Sequence, residues 1–242
     1  MKNVFCPDKR PRALILSYKA DRKLVAYVKA LGFDPILTTK AGVDPRIDDH
    51  PDIQIRPLGK GEYMVTRDCY DYYQEALKSY GIKLYKSEKS LSPTYPGDCL
   101  LNVAQISSYY ITKENAIDPG LEAELMKRGL EPIYQKQAYS KCMTICFEDF
   151  AITNDRSIER ALKDKNLEAY YISSEGIGLD GFNIGFLGGS CGIIGDMKLV
   201  FTGDISYLKD YKNLKEILDK KGVEILFPEG PLVDLGSIIS IV

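Results

Sequence analysis

One unit recurs five times along this chain, and a repeat of that length constrains the fold more than any single motif in it. Each unit is marked by a short β-rich run that ends on a hydroxyl: Leu14 to Ser17, Tyr63 to Thr66, Tyr109 to Thr112, Phe150 to Thr153 and Leu199 to Thr202. In four of the five an acid follows two residues later, Asp68, Glu114, Asp155 or Asp204, where a helix is expected to start. A hydroxyl or carboxylate there accepts hydrogen bonds from the unpaired N–H groups of the first turn, and the acid sits well against the helix dipole. One helix length later stands a residue suited to the left-handed conformation that stops a helix, Gly32, Gly81, Gly129, Asn166 or Gly222, followed by another β run. The stretches between, such as 72–78 and 214–220, carry apolar residues three and four apart and read as helices lying on a sheet.

A second β run precedes four of the five markers. Asp52 to Leu58 pairs with Glu62 to Thr66 across Gly59-Lys60-Gly61, and Cys99 to Val103 with Ser108 to Thr112. Cys142 to Phe147 pairs with Phe150 to Thr153 across Glu148-Asp149, and Cys191 to Ile194 with Met197 to Thr202 across Gly195-Asp196. These are hairpins by pattern and turn chemistry, so the unit is strand, strand, helix, strand. Unit one lacks its opening strand, while Ser237 to Val242 forms an orphan strand at the other end of the chain. Pairing the two closes five blades into a ring with no open edge. An open doubly wound sheet would connect its parallel strands one helix at a time, without the hairpins. The expected fold is therefore α/β, a five-bladed α/β propeller in one domain over 1–242. Its blades run approximately over 12–47, 48–90, 96–138, 140–175 and 188–230, with a closing strand at 236–242.

Composition narrows the function classes. The 242 residues are 45% hydrophobic and 27% charged, with a formal net charge of -2. Without a block of Lys and Arg, no nucleic-acid partner is expected. The polar leader lacks the apolar core of a signal peptide and no apolar run is long enough to span a membrane, so a cytoplasmic address with no membrane association is expected. In that setting the six cysteines are read as reduced thiols. No local spacing makes a zinc site, and neither a metal nor a cofactor is expected. Only ring closure would let Cys99, Cys142 and Cys191 face one another and take a soft metal.

With this repeat in place, several segments carry a family resemblance: His50 to Ile55, Tyr95 to Asp98, Tyr139 to Cys142, Gly185 to Gly192 and Val233 to Ser237. The chain resembles the guanidino-modifying-enzyme, or pentein, fold of arginine deiminases, dimethylarginine hydrolases and amidinotransferases. More closely, it is similar to an uncharacterised domain family within that superfamily. The resemblance implies a site on the propeller axis, where the opening residues of each blade's innermost strand converge. In this chain those residues are His50 to Asp52, Gly97 to Cys99, Ser140 to Cys142, Gly188 to Cys191 and Gly236 to Ile238.

The enzymes of the superfamily attack a guanidinium carbon with a Cys thiolate, use a His as acid and base, and clamp the cation with carboxylates. The acidic motif of the active enzymes, Gly-Gly-Asp, matches His50-Pro51-Asp52, and Asp98 supplies a second carboxylate one blade later. Where the catalytic His is expected the chain has Tyr139-Ser140-Lys141-Cys142, and where the catalytic Cys is expected it has Leu235-Gly236-Ser237-Ile238. Guanidino hydrolysis by the usual mechanism is therefore not expected.

Three readings follow. The first is a propeller that binds a small guanidino-, amine- or amino-acid-like ligand at the axis through Asp52, Asp98, Lys141 and Cys142, with His50 beside them. The second is a diverged thiol-dependent hydrolase or amidinotransferase-like enzyme, with Cys191 and His50 as a relocated catalytic pair oriented by Asp52 or Asp98. The third is a protein-interaction propeller, by analogy with the translation initiation factor that shares the fold. Of the tyrosines, Tyr95 and Tyr139 are the two expected to touch a ligand. The bland alternatives are a small buried thiol at Cys191 and a loop-fixing role for His50.

Overall fold

The structure is a computed structural model that describes residues 3–195 and 197–242. Asp196 of the expected Gly195-Asp196 turn and the first two residues of the leader lie outside the described residues. Blade one pairs strand β1 (Ala13–Leu16), through helix α1 (Arg22–Ala30), with β2 (Asp34–Leu37). Blade two opens with a four-residue helix α2 (Pro51–Gln54), then β3 (Ile55–Gly59), β4 (Glu62–Val65), α3 (Tyr70–Ala76) and β5 (Lys83–Lys86). Blade three comprises β6 (Ala104–Ile106), β7 (Tyr109–Lys113), α4 (Pro119–Lys127) and β8 (Glu131–Gln135). Blade four opens with a second four-residue helix, α5 (Ser140–Met143), followed by β9 (Thr144–Cys146), β10 (Phe150–Thr153), α6 (Arg156–Asp164) and β11 (Glu168–Tyr171). Blade five comprises β12 (Cys191–Ile193), β13 (Lys198–Phe201), α7 (Tyr211–Lys220) and β14 (Glu224–Leu226), and the chain ends with β15 (Ile239–Ile241).

These strands form five sheets of three strands each. In every sheet the central strand runs antiparallel to one neighbour and parallel to the other. The closing strand takes the antiparallel place in blade one, pairing Ala13 with Ile241, Leu14 with Ser240 and Ile15 with Ile239. First and last segments thus complete one sheet, as ring closure requires.

Burial separates the layers. Strands β6, β9 and β12 are buried throughout and β15 nearly so, whereas β2, β5 and β14 carry only exposed or half-buried residues. The helices cover the outer strands with one repeated device, a buried apolar pair four residues apart. The pairs are Leu24 and Val28, Leu121 and Leu125, Ile158 and Leu162, and Leu214 and Leu218. Such a spacing keeps both side chains on one helix face, and each fully buried side chain contributes roughly 1.5–3 kcal/mol of apolar transfer.

The stop signals behave as expected: Gly32, Gly81, Gly129, Asn166 and Gly222 all have positive φ, between 58° and 83°. The start signals are less uniform. Asp155 caps α6 through Ser157 N and Ile158 N, and Asp204 caps only a short 3-10 turn before α7. Helix α4 is capped by Asp118 instead of starting at Glu114, because Pro119 supplies the preorganised first helical residue. The marker hydroxyls are buried, but their bonds also tie strand ends to neighbouring segments: Thr153 Oγ1 donates to Met143 O at 3.0 Å and Thr202 Oγ1 to Val233 O at 2.5 Å.

Three expected strand starts are corrected. The runs expected from Asp52 and Cys142 begin as strand only at Ile55 and Thr144, and the run Cys99 to Val103 is not strand at all, β6 starting just after it at Ala104. The residues before them turn, in α2 and α5 as helix, so their side chains advance by roughly 100° per residue instead of alternating. All six cysteines are free thiols. Among the described residues, no helix is long and apolar enough to cross a membrane.

Candidate functional site at the propeller axis

Short turns from four blades and the closing segment meet at the axis, held mainly by backbone bonds. Asp52 N donates to Gly236 O at 3.0 Å, fastening α2 to the closing segment, and Ser237 N donates to Gly189 O at 2.7 Å, fastening that segment to blade five. Glycine is required where these turns cross. A Cβ on Gly236, which sits at φ +70°, would collide with His50, and one on Gly189 would collide with the Asp234 carboxylate. Asp234 accepts from Phe186 N at 2.8 Å and Gly236 N at 3.0 Å, and burial pushes its carboxyl up while the nearby His50 opposes that shift.

The centre of the site is a mixed donor cluster. One ligand atom each from His50, Asp52 and Cys142 lies within 4.8 Å of the other two, and all three residues are buried. The Cys142 thiol donates to Asp52 Oδ2 at 2.9 Å and accepts from Asn102 Nδ2 at 3.0 Å. Asn102 positions that thiol from both ends, since its Oδ1 also accepts from Lys141 N at 2.9 Å and Cys142 N at 3.2 Å. Burial, with Asp52 adding to it, holds the Cys142 thiol well above its ordinary range. The imidazole of His50 takes no part in the hydrogen bonds that join Asp52, Cys142, Asn102 and Ser237.

Among the described residues, two carboxylate oxygens at the axis have no hydrogen-bond partner although fully buried: Asp52 Oδ1 and Asp98 Oδ1. Their companion oxygens are occupied. Asp52 Oδ2 also accepts from Ser237 Oγ at 2.7 Å, and Asp98 Oδ2 accepts from Tyr139 OH at 2.6 Å. Burial and the Asp98 bond push the Tyr139 hydroxyl far up, so it stays a donor. Its ring stands 5.7 Å from that of Tyr95 and 6.3 Å from that of Phe186, making an aromatic wall beside Asp98. Tyr95 is 42% exposed, so this wall reaches solvent.

Lys141 is only 7% exposed and points inward. Its ammonium donates to Ser237 Oγ at 3.0 Å and Gly188 O at 3.5 Å, and lies 5.2 Å from the centre of the Phe5 ring. Ser237, at φ +74°, therefore links the lysine to Asp52; its single proton serves either Asp52 Oδ2 or Gly188 O, the latter at 2.8 Å.

Cys191 occupies the far end of this arrangement. It opens β12 and lines a small cavity with Lys141, Phe5, Cys146 and Ile239, its thiol donating to Leu187 O at 3.5 Å. Burial pushes that thiol up to about 12. The thiol that the structure brings within reach of His50 is that of Cys142. Cys99, also held well up by burial, donates to Pro96 O at 3.2 Å. The residues read from the sequence thus fall into two groups: His50, Asp52 and Cys142 with Lys141 through Ser237, and Asp98 with Tyr139 and Tyr95. The roles of Asn102, Asp234 and the Ser237 link are not legible in the sequence, since each depends on contacts with another blade.

A family model described as "Family of unknown function (DUF6873)" matches residues 15–239. The chain belongs to this family. No curated protein matches it. Among solved structures, DDAH from Pseudomonas aeruginosa, in a mutant form complexed with citrulline, is similar over 91% of this chain and 93% of its own, with a TM-score of 0.55 and 12% identity. Inosamine-phosphate amidinotransferase StrB1 from Streptomyces griseus is similar over 100% of this chain and 96% of its own, with a TM-score of 0.56 and 14% identity. A putative peptidyl-arginine deiminase gives a TM-score of 0.57 at 11% identity over 94% and 93% of the two chains. At such identities the likeness is one of fold, the five-bladed α/β propeller of guanidino-modifying enzymes.

Proposed function

We propose that this DUF6873 protein binds a small molecule carrying a guanidinium or ammonium group at the propeller axis, without the thiolate and imidazole chemistry of its structural relatives. The observation that carries this reading is the pair of buried, unpartnered oxygens, Asp52 Oδ1 and Asp98 Oδ1. A buried acceptor left without a donor costs about 1–3 kcal/mol, more when charged, and a planar or tetrahedral cation supplies the missing donors. Lys141 adds the complementary end. Of its three ammonium donors two are used, by Ser237 and Gly188, which leaves one for a ligand carboxylate. The ligand class that matches both ends is amino-acid-like.

The raised thiols of Cys142 and Cys191 favour binding over nucleophilic attack, because a thiol held above neutral pH is a poor nucleophile. A Cys191 and His50 pair gains less support, since the hydrogen bond of Cys191 runs to Leu187 O and its surroundings are Phe5, Cys146 and Ile239. The test is thermal stabilisation of the full-length protein by arginine, agmatine, lysine and neutral amino acids. At least one cationic compound is expected to raise the melting temperature saturably, and Asp98→Asn to weaken it by about 10-fold or more, the worth of one charged hydrogen bond. Stabilisation by none of them, or equal affinity in the variant, would overturn the reading.

A further inference from the structure

The mixed N, O and S character of the central cluster is unusual for a site that binds only an organic cation. An ammonium or guanidinium needs acceptors, whereas a neutral imidazole nitrogen, a thiolate and a carboxylate together are the donor set of a borderline-soft divalent metal. We propose that His50, Asp52 and Cys142 form a zinc-type site with three protein ligands and one open position.

Several independent observations meet at this cluster. The three donor atoms lie within 4.8 Å of one another and come from two blades, so ring closure and not local spacing assembles them. Asp52 is 2% exposed and its Oδ1 is buried with no partner among the described residues. Tetrahedral zinc with bonds of roughly 2.0–2.3 Å places its donors about 3.3–3.8 Å apart, so the cluster has to tighten by about 1 Å. Cys142 Sγ and Asp52 Oδ2 are hydrogen-bonded at 2.9 Å, closer than two donors of one zinc, so that bond opens as the thiol loses its proton while His50, whose imidazole is outside that hydrogen-bond set, moves in.

The surroundings are those of a supported metal site. Asn102 Nδ2 points at the Cys142 sulfur and stabilises a thiolate there, and Ser237 Oγ donates to Asp52. Outer partners of this kind orient the ligands and raise their basicity. On binding, the Cys142 S–H proton is released to solvent, which breaks the thiol's bond to Asp52 Oδ2, and the sulfur and the free Oδ1 of Asp52 turn to the metal. Metal charge makes that deprotonation favourable even for a thiol that burial otherwise keeps protonated. A metal held this way uses the free oxygen of Asp52 and leaves a ligand's cation only that of Asp98. The metal site does not depend on the ligand reading.

Cobalt(II), a spectroscopic substitute for zinc, tests the assignment on the full-length protein after chelator treatment. Titration with cobalt alone should saturate at one equivalent and give the intense near-ultraviolet band of a cobalt thiolate. Cys142→Ser should abolish the band, whereas Cys191→Ser should keep it. His50→Asn, which leaves the thiol in place, should keep the band but weaken binding by at least about 10-fold. A folded wild-type protein with no saturable band overturns the site, as does a band lost in Cys191→Ser but not in Cys142→Ser. Should Cys142→Ser fail to fold, the His50→Asn titration decides alone, and wild-type affinity there refutes the assignment. These titrations contain no organic ligand, so their failure leaves the amino-acid-like reading to its own test.

Discussion

The outer layer and the axis of this propeller follow opposite rules. Around the outside the five blades repeat nearly the same residues in the same places: a left-handed stop at Gly32, Gly81, Gly129, Asn166 or Gly222, and apolar helix pairs such as Ile158 with Leu162. At the axis the blades share a few residue types, such as Cys99, Cys142 and Cys191, but each sets them among different neighbours. Blade two contributes His50 and Asp52, blade three Asp98 and Asn102, blade four Lys141 and Cys142, blade five Gly188 and Gly189, and the closing segment Gly236 and Ser237. Repetition outside is what five equivalent packing problems require. Divergence inside means that the axial residues are not solutions to a shared packing problem, and Asp52 and Asp98 are buried there, each with an oxygen that has no partner among the described residues.

The contrast can be broken first in the outer layer. Leu162 of α6 is 0% exposed and packs with Ile106, Ile158 and Ala151. Leu162→Ala is expected to cost about 2–5 kcal/mol in denaturant unfolding. Cobalt or ligand binding measured where the variant remains folded should be unchanged, and a comparable loss of binding would mean that layer and axis are not separable.

A smaller effect tests burial at the inner end of the axis. Burial pushes Cys146 and Cys191 from the ordinary 9.0 up to about 12. Above pH 9 the unfolded chain gives up these protons before the native protein does, so it binds fewer protons and stability falls as pH rises towards 12. Each thiol contributes about 1.4 kcal/mol per pH unit within that window. Cys191→Ala should remove one such share from the slope measured by denaturation between pH 9 and 11, and an unaltered slope would place Cys191 in contact with water. The smallest effect belongs to Asn166, the one stop that is not glycine, at φ +58°. Asn166→Gly should stabilise by roughly 0.5 kcal/mol, because glycine has no Cβ to clash in the left-handed conformation.

The same division governs what could be read from the chain. The stops, the hairpins and the orphan strand at Ser237 to Val242 are local signals with local physical causes, and the pairing of β15 with β1 follows from counting strands. Glu114 carries the same marker spacing as the other starts, but the Asp118-Pro119 signal four residues later is the stronger one and sets the helix start. At the axis the limit was geometric. Treating Asp52 and Cys142 as the first residues of strands leaves their facing unknown, whereas the helical turns α2 and α5 rotate them onto each other. That rotation brings Cys142 to His50 and leaves Cys191 beside Phe5. Asn102, which binds the Cys142 sulfur from a different blade, has no neighbour in sequence that would reveal it.

The central claim is that Asp52 and Asp98 are kept for an occupant and not for the fold. The most direct measurement is the unfolding free energy of the Asp52→Asn, Asp98→Asn double variant, compared with wild type in the absence of ligand and metal. Each amide carbonyl can still accept the existing bonds from Cys142, Ser237 and Tyr139, while two buried negative charges are removed. The expected result is a stability equal to or above that of wild type, with cation binding lost. A loss of several kcal/mol would contradict the account and make the two carboxylates part of the scaffold.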